Sequence, residues 1–337
     1  MLILFTLMHL TVDGVCAAAM RAYAVSEPYL DPILFYFGIY NLIAFGGQWL
    51  MGYLLDRWPR GITAALALTP ACLGLGAVPA LGIPAQTVLL GLGNCAFHVA
   101  AGSLVLRRYR TYKELGLFVS SGAIGLALGL NGLCGAWPFW AACAAGTAVA
   151  LWRLPQYREA IPEEAPSNGR EPDGAAGAVP WALGGAVILL LACVVLRGFG
   201  GGGGVPEYVM LLPCTFALGK ALGGLCCDAL GYRNTVRLIF ALSFLALQWD
   251  GLLPLLLLTL AFNMSMPLTL RLLHWCAPGR PGLMFGLAAG CLLPGAFCRE
   301  ALSVAPQVMV VANFLGLFLA GWLLRRYGGL GERGDAL

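Results

Sequence analysis

Charge is scarce in this 337-residue chain: 11% of its residues are Asp, Glu, Lys or Arg, where a water-soluble domain carries about 25%. Histidine is scarcer still, with three in all. There are 12 cysteines, but nowhere are two of them spaced Cys-x-x-Cys, and only Cys226 and Cys227 are adjacent. The shortage of charge excludes a domain whose whole surface faces water. The shortage of histidine and the missing Cys-x-x-Cys spacing argue against a metal site, so neither a metal nor a cofactor is expected. The cysteines lie mostly in apolar segments, where they act as small apolar side chains.

What fills the chain instead is apolar: 60% of residues are hydrophobic and mean hydropathy is +0.82. Apolar runs long enough to span a bilayer recur from end to end, at roughly 2–24, 33–55, 62–82, 85–106, 115–134, 136–152, 180–199, 206–227, 234–249, 251–273, 282–299 and 304–324. Twelve spans of about 20 residues consume about 240 residues, so most loops are short. The exception is 153–179, rich in Pro, Glu and Gly, which reads as a flexible linker. The expected architecture is therefore an all-α membrane protein in three parts. These are a six-helix bundle at 1–152, a cytoplasmic linker at 153–179 and a second six-helix bundle at 180–337. The first span reads as a mature helix rather than a signal peptide, because no positive charge precedes Arg21 and Asp13 interrupts its apolar run.

Orientation follows from the positive charges. With the N-terminus in the cytoplasm, sixteen of the 20 Lys and Arg fall in inward loops and the C-terminus. Arg21, Arg197 and Arg299 fall at outward ends, and Lys220 lies within a span. The net charge of +4 thus reflects topology and carries no suggestion of nucleic-acid binding. Both termini are expected in the cytoplasm, with the chain in the cytoplasmic (inner) membrane.

The two halves echo one another. "GYLLDRWPRG" follows span two and "GLCCDALGYRN" follows span eight; each places a Gly four residues before an Asp at a cytoplasmic helix end, with Arg after it. Asn94 and Asn263 sit near the middle of spans four and ten, and spans five and eleven are both glycine-rich. Repeated six-helix halves are a transporter architecture. The chain resembles the major facilitator superfamily, whose loop signature is Gly-x-Leu-x-Asp-Arg-x-Gly-Arg-Arg/Lys. Gly52, Leu54, Asp56, Arg57 and Arg60 match its first copy, with Pro59 in place of Gly; Gly224, Asp228, Gly231 and Arg233 match its second, with Ala229 in place of Arg. Within the superfamily, "MHLTVDG" and "GNCAFHVAAG" are similar to the fosmidomycin-resistance branch, which has His and Asp in its first helix and Phe-His in its fourth; Val99 stands where that branch often has Pro. The resemblance implies two bundles related by a pseudo-twofold axis, a monomer, and a central cavity lined by the first, fourth, seventh and tenth helices.

Physically, Asp56 at a helix end can accept hydrogen bonds from the N-terminus of a neighbouring helix, and Arg57 and Arg60 can pair with acidic groups across the loop. Gly52, Asp56, Arg57 and Arg60, with Gly224, Asp228 and Arg233, are therefore expected to form a latch that closes the cytoplasmic side in one state. Inside the spans, an ionisable residue costs about 2.5–3.5 kcal/mol at mid-membrane, so it should face a cavity or a partner. Asp13 lies about 18 Å along the first helix, near its middle, with His9 one turn earlier. Asn94 and His98 share one face of span four, Asn263 lies in span ten and Arg197 near the outer end of span seven. The main intramembrane polar residues fall on the four helices that line the cavity in the superfamily. Asp13 is expected to carry protons with His98 sharing the role, and Lys220 and Arg197 to favour an anionic or zwitterionic solute. Aromatics such as Phe97 and Tyr36 read as packing or lipid contact. Ser120 and Ser121 are the hydroxyl pair that an embedded enzyme would need, but no His lies near them in sequence.

The expected function is secondary active transport of a small organic solute by alternating access, as proton-coupled efflux in the first instance. Proton-coupled or facilitated uptake is the alternative within that class. A receptor or assembly protein that keeps the architecture without transporting is the alternative outside it.

Overall fold

The computed structural model describes residues 1–159, 179–200, 209–299, 302 and 304–328. Those residues form twelve helical rods and no strand. They are α1 (Leu2–Ser26), α2 (Leu30–Arg57), α3 (Gly61–Gly76), α4 (Ile83–Arg108), α5 (Tyr112–Leu130), α6 (Ala136–Glu159), α7 (Pro180–Gly200), α8 (Leu211–Leu230), α9 (Tyr232–Ala246), α10 (Leu252–Cys276), α11 (Pro281–Cys298) and α12 (Pro306–Tyr327). Nine of them are long and apolar enough to cross a membrane, and α3 is a shorter apolar helix. The protein is a multi-pass, all-helical membrane protein.

The apolar runs mark the rods closely, with differences at their ends. α6 continues through the first seven residues of the supposed linker, as far as Glu159. Tyr157 explains the extension: its ring is buried and its hydroxyl donates to the Leu104 carbonyl at 3.3 Å, tying the last turn to α4. Residues 160–178 of the linker, Arg170 among them, the glycine run at 201–204, Glu300 and Arg333 lie outside the described residues. α2 is broken by a π-helical turn at Leu42–Gly46, next to Gly46 and Gly47. Gly231, at φ 78°, joins α8 to α9 without a longer loop; a side chain there would be strained.

The packing repeats after six helices. α1 lies against α4, α5 and α6, and α7 against α10, α11 and α12. α3 touches α4 and α6, as α9 touches α10 and α12. Across the two halves α5 packs on α8, and α2 on α11. Glycine makes both approaches close: a Cβ at Gly52 would collide with the Gly282 carbonyl, and one at Gly224 with the backbone of Tyr112 and Lys113.

α4 is the most enclosed of the nine spans and α2 the least. Most exposed indoles lie near the two ends, Trp58, Trp152, Trp181 and Trp322 near the arginine-rich end and Trp137 and Trp249 near the other, with Trp49 further along α2. Such belts sit at the two membrane–water interfaces. The rods are thereby held with their middles, and any ionisable group there, at the depth of lipid.

Candidate functional site

The middle of α1 carries His9 and Asp13 one turn apart, and the middle of α4 carries Asn94 and His98 at the same spacing, so each helix presents one polar face. The structure brings the two faces into direct contact. Asn94 Nδ2 donates to Asp13 Oδ1 at 2.9 Å. The other carboxylate oxygen lies 3.4 Å from His9 Nε2, and His98 Nε2 lies 3.6 Å from Asp13 Oδ1. The two histidines meet at 2.8 Å, Nε2 to Nε2. Asn94 is fully buried and the imidazoles nearly so, while the Asp13 side chain keeps 14% of its surface exposed. The four residues are thus one bonded cluster, not two pairs facing each other across water.

Backbone carbonyls fix the imidazoles. His9 Nδ1 is 2.8 Å from the Phe118 carbonyl of α5, and His98 Nδ1 is 2.9 Å from the Asn94 carbonyl. A carbonyl accepts and never donates, so each Nδ1 must carry its hydrogen. Both Nε2 atoms of the neutral rings are then lone pairs, turned toward one another and toward a carboxylate. Such a group needs one shared positive charge. Gly122 of α5 closes one side, where a Cβ would run into Asp13 Oδ2 and His9 Nε2.

The second half buries the opposite sign. Arg197 on α7 is 6% exposed, and among the described residues its guanidinium reaches the hydroxyls of Ser265 and Thr269, each at 3.4 Å. Lys220 on α8 lies within electrostatic range of Arg197, Asp13 and His98. Among the described residues no carboxylate lies within ion-pair distance of either cation. Asn263 does not join the cluster; its amide donates to the Thr259 carbonyl of its own helix at 2.9 Å.

A third set of contacts closes the arginine-rich end. Asp56 accepts from the Gly282 and Leu283 amides at 3.0 and 2.8 Å, at the N-terminus of α11. Asp228 accepts from Tyr112 and Lys113, both at 2.9 Å, at the N-terminus of α5. Helix N-termini offer free N–H groups and a positive dipole end, so a carboxylate suits each. Arg271 adds bonds to the Tyr109 and Thr111 carbonyls. Among the described residues, every hydrogen bond between the two halves lies at this end.

The arginines of the motif behave differently from expectation. Arg57 turns back along its helix to the Tyr53 hydroxyl at 2.7 Å, and Arg60 and Arg233 are exposed without an acidic partner among the described residues. The partner of Asp56 is Arg107, at 3.4 Å. Arg107 and Arg271 were indistinguishable in sequence from the other inward arginines. Ser120 and Ser121 both donate to backbone carbonyls, of Leu117 and Thr6. Phe97 is part of the core. A cavity of about 510 Å³ opens at the end away from the arginines, lined by Arg21, Tyr23, Gln86 and Trp137 among others.

No family model and no curated protein matches the chain. Solved structures do. The Major Facilitator Superfamily transporter FucP in the outward conformation is 13% identical, with a TM-score of 0.55 over 95% of this chain and 97% of that one. A bacterial homologue of the iron transporter ferroportin in its outward-facing state gives 12% identity and 0.53 over 96% and 98%. The same homologue with soaked iron gives 13% and 0.53 over 97% and 99%. The chain has the major facilitator fold from end to end.

Proposed function

We propose that this protein is a secondary active transporter. It moves a small anionic or zwitterionic organic solute across a cytoplasmic membrane by alternating access, and exports it in exchange for protons. The observation that carries the reading is the pair of cations inside the spans, buried Arg197 and part-buried Lys220, which have no carboxylate within ion-pair distance among the described residues and lie within reach of the Asp13 field. A charge at that depth is costly unless something neutralises it. A carboxylate or phosphonate on the solute supplies the missing charge in the second half, and a zwitterion's amine would suit Asp13 in the first. The cluster of His9, Asp13 and His98, which needs one positive charge, is the place for the exchanged proton.

The fold shared with the transporter FucP supports transport as such. The excess of inward Arg makes the arginine-rich end cytoplasmic, so the state described here faces outward. Opening inward then means releasing Asp56 and Asp228 from their helix N-termini while 1–152 rocks against 180–337. The similarity of "MHLTVDG" and "GNCAFHVAAG" to the fosmidomycin-resistance branch favours export over uptake.

Proteoliposomes holding the purified monomer test this. A panel of phosphonates, organic acids, zwitterionic metabolites and amphipathic drugs is screened for solute-dependent proton flux. One chemical class should give flux that Asp13→Asn abolishes. Solute movement without proton flux would remove the coupling, solute moving into the compartment facing the arginine-rich end would reverse the direction, and silence across the panel would favour a receptor.

A further inference from the structure

We propose that His9, Asp13 and His98 also form a binding site for a divalent first-row transition-metal ion. The site is separate from the organic-anion place at Lys220 and Arg197 and does not depend on the transport reading. One ligand atom from each of the three residues lies within 4.8 Å of the others. Two imidazoles and a carboxylate are a donor set that suits zinc, cobalt, iron and manganese.

Proximity alone would be weak ground; the second layer of contacts is what distinguishes the cluster. A metal-bound imidazole usually donates its other N–H to a carbonyl or carboxylate, which fixes its tautomer. Both imidazoles here do so, to Phe118 and to Asn94, and both are thereby left with Nε2 free to coordinate. The Asp13 carboxylate is held in turn by the Asn94 amide. The Asn94 oxygen has no hydrogen-bond partner, so one rotation of that amide offers a fourth donor. Gly122 lets α5 approach Asp13 Oδ2 and His9 Nε2 so closely that a Cβ there would collide with both. Access is through Asp13, whose side chain is the most exposed of the three.

The geometry needs one adjustment. Tetrahedral coordination at about 2.0–2.1 Å sets two ring nitrogens about 3.3 Å apart, so the 2.8 Å pair must open by about half an ångström. A metal needs both Nε2 lone pairs, so a proton shared between the rings and a metal exclude one another. Lys220 opposes the exchange, because a dication near it meets a like charge.

The experiment is Co²⁺ binding to the purified full-length protein in detergent, read by visible absorption at neutral pH. Nitrogen and oxygen ligands give d–d bands without the near-ultraviolet thiolate transitions that the cysteines would produce. One ion should bind per chain. Asp13→Asn and His98→Gln should each weaken binding by more than the roughly 10–100-fold typical of outer-shell changes. Gly122→Ala, which keeps every ligand residue but crowds Asp13 Oδ2 and His9 Nε2, should weaken it. His274→Gln, at the arginine-rich end, should leave it unchanged. Lys220→Met should tighten it severalfold, to which a site elsewhere would be indifferent. Size-exclusion profiles matching wild type show that the variants are folded. Absence of the bands, bands of thiolate type, or bands that survive both Asp13→Asn and His98→Gln in folded protein would overturn the site. None of these readouts involves flux, so they stand or fall apart from the transport assay.

Discussion

Asp13 and Lys220 sit in opposite halves of one repeated plan, and their surroundings differ as much as their signs. Asp13 has an amide on one oxygen and an imidazole near each, all supplied by α1 and α4. Lys220 has no carboxylate within ion-pair distance among the described residues, and its fellow cation Arg197 has two hydroxyls at the outer limit of a hydrogen bond. The scaffold contacts were duplicated: α1 with α5 as α7 with α11, and Asp56 at a helix N-terminus as Asp228 at another. The charges inside the spans were not. The proposed function assigns the elements present in both halves to the motion that the halves share, and the residues present in one half to the cargo. On the proposed function, a self-sufficient acid in the first half and poorly satisfied cations in the second would divide the labour between an ion and an anionic solute.

Substitution of Lys220 gives the largest expected effect. Lys220→Met removes the hydrogen bond to a charged solute group, worth about 1.5–3 kcal/mol, so the apparent affinity for the anionic solute should fall roughly 10- to 100-fold. Solute-concentration dependence of flux in proteoliposomes measures it. If affinity is unchanged, the solute does not use that cation and the division above is wrong. Arg197→Gln should weaken affinity in the same direction by less, because Ser265 and Thr269 remain to hold a neutral amide.

The two latches invite a finer comparison. Each aspartate accepts two backbone hydrogen bonds, but the Asp56 side chain is only 6% exposed and has Arg107 beside it, whereas Asp228 is exposed. Charge-assisted bonds gain from burial and lose to solvent. Asp56→Asn gives up the charge and one acceptor at a sheltered helix end, about 1–2 kcal/mol, and should speed hydrogen–deuterium exchange at Gly282 and Leu283 by about 5- to 30-fold. Asp228→Asn gives up a solvated charge–dipole contact of about 0.3–1 kcal/mol, and Tyr112 and Lys113 should exchange about 2- to 5-fold faster. Equal effects would mean that the halves close as one rigid unit and that local burial is irrelevant.

Much of this could be read before any coordinates. The apolar runs marked the rods, the repeated Asp at two helix ends marked the latches, and the spacing of His9 with Asp13 and of Asn94 with His98 marked two polar faces. What the chain alone could not show was that the faces touch, since helix periodicity gives a direction and never a partner. The carbonyls of Phe118 and Asn94, which set the imidazole tautomers, leave no trace in side-chain identity at all. The second half misled in one respect: Asn263 looks equivalent to Asn94, yet it bonds within its own helix because α7 presents no acid to it.

The loop arginines carry that argument to its smallest measurable case. Arg57 and Arg60 belong to the recognisable motif and were expected to pair with acids, but Asp and Glu number only 16 in the chain and Asp56 is already claimed by two amides and Arg107. Arg57 settles on the Tyr53 hydroxyl and ring, at the exposed surface of its own helix. Its removal should therefore cost the latch under about 0.5 kcal/mol, as for other surface changes. Arg107, outside the motif and partly buried, approaches the sheltered carboxylate itself. Arg57→Gln should leave exchange at Gly282 and Leu283 within twofold of wild type, and Arg107→Gln should accelerate it measurably more. The reverse order would show that the motif arginine reaches Asp56 in a state other than the one described, and that the latch is rebuilt as the halves move.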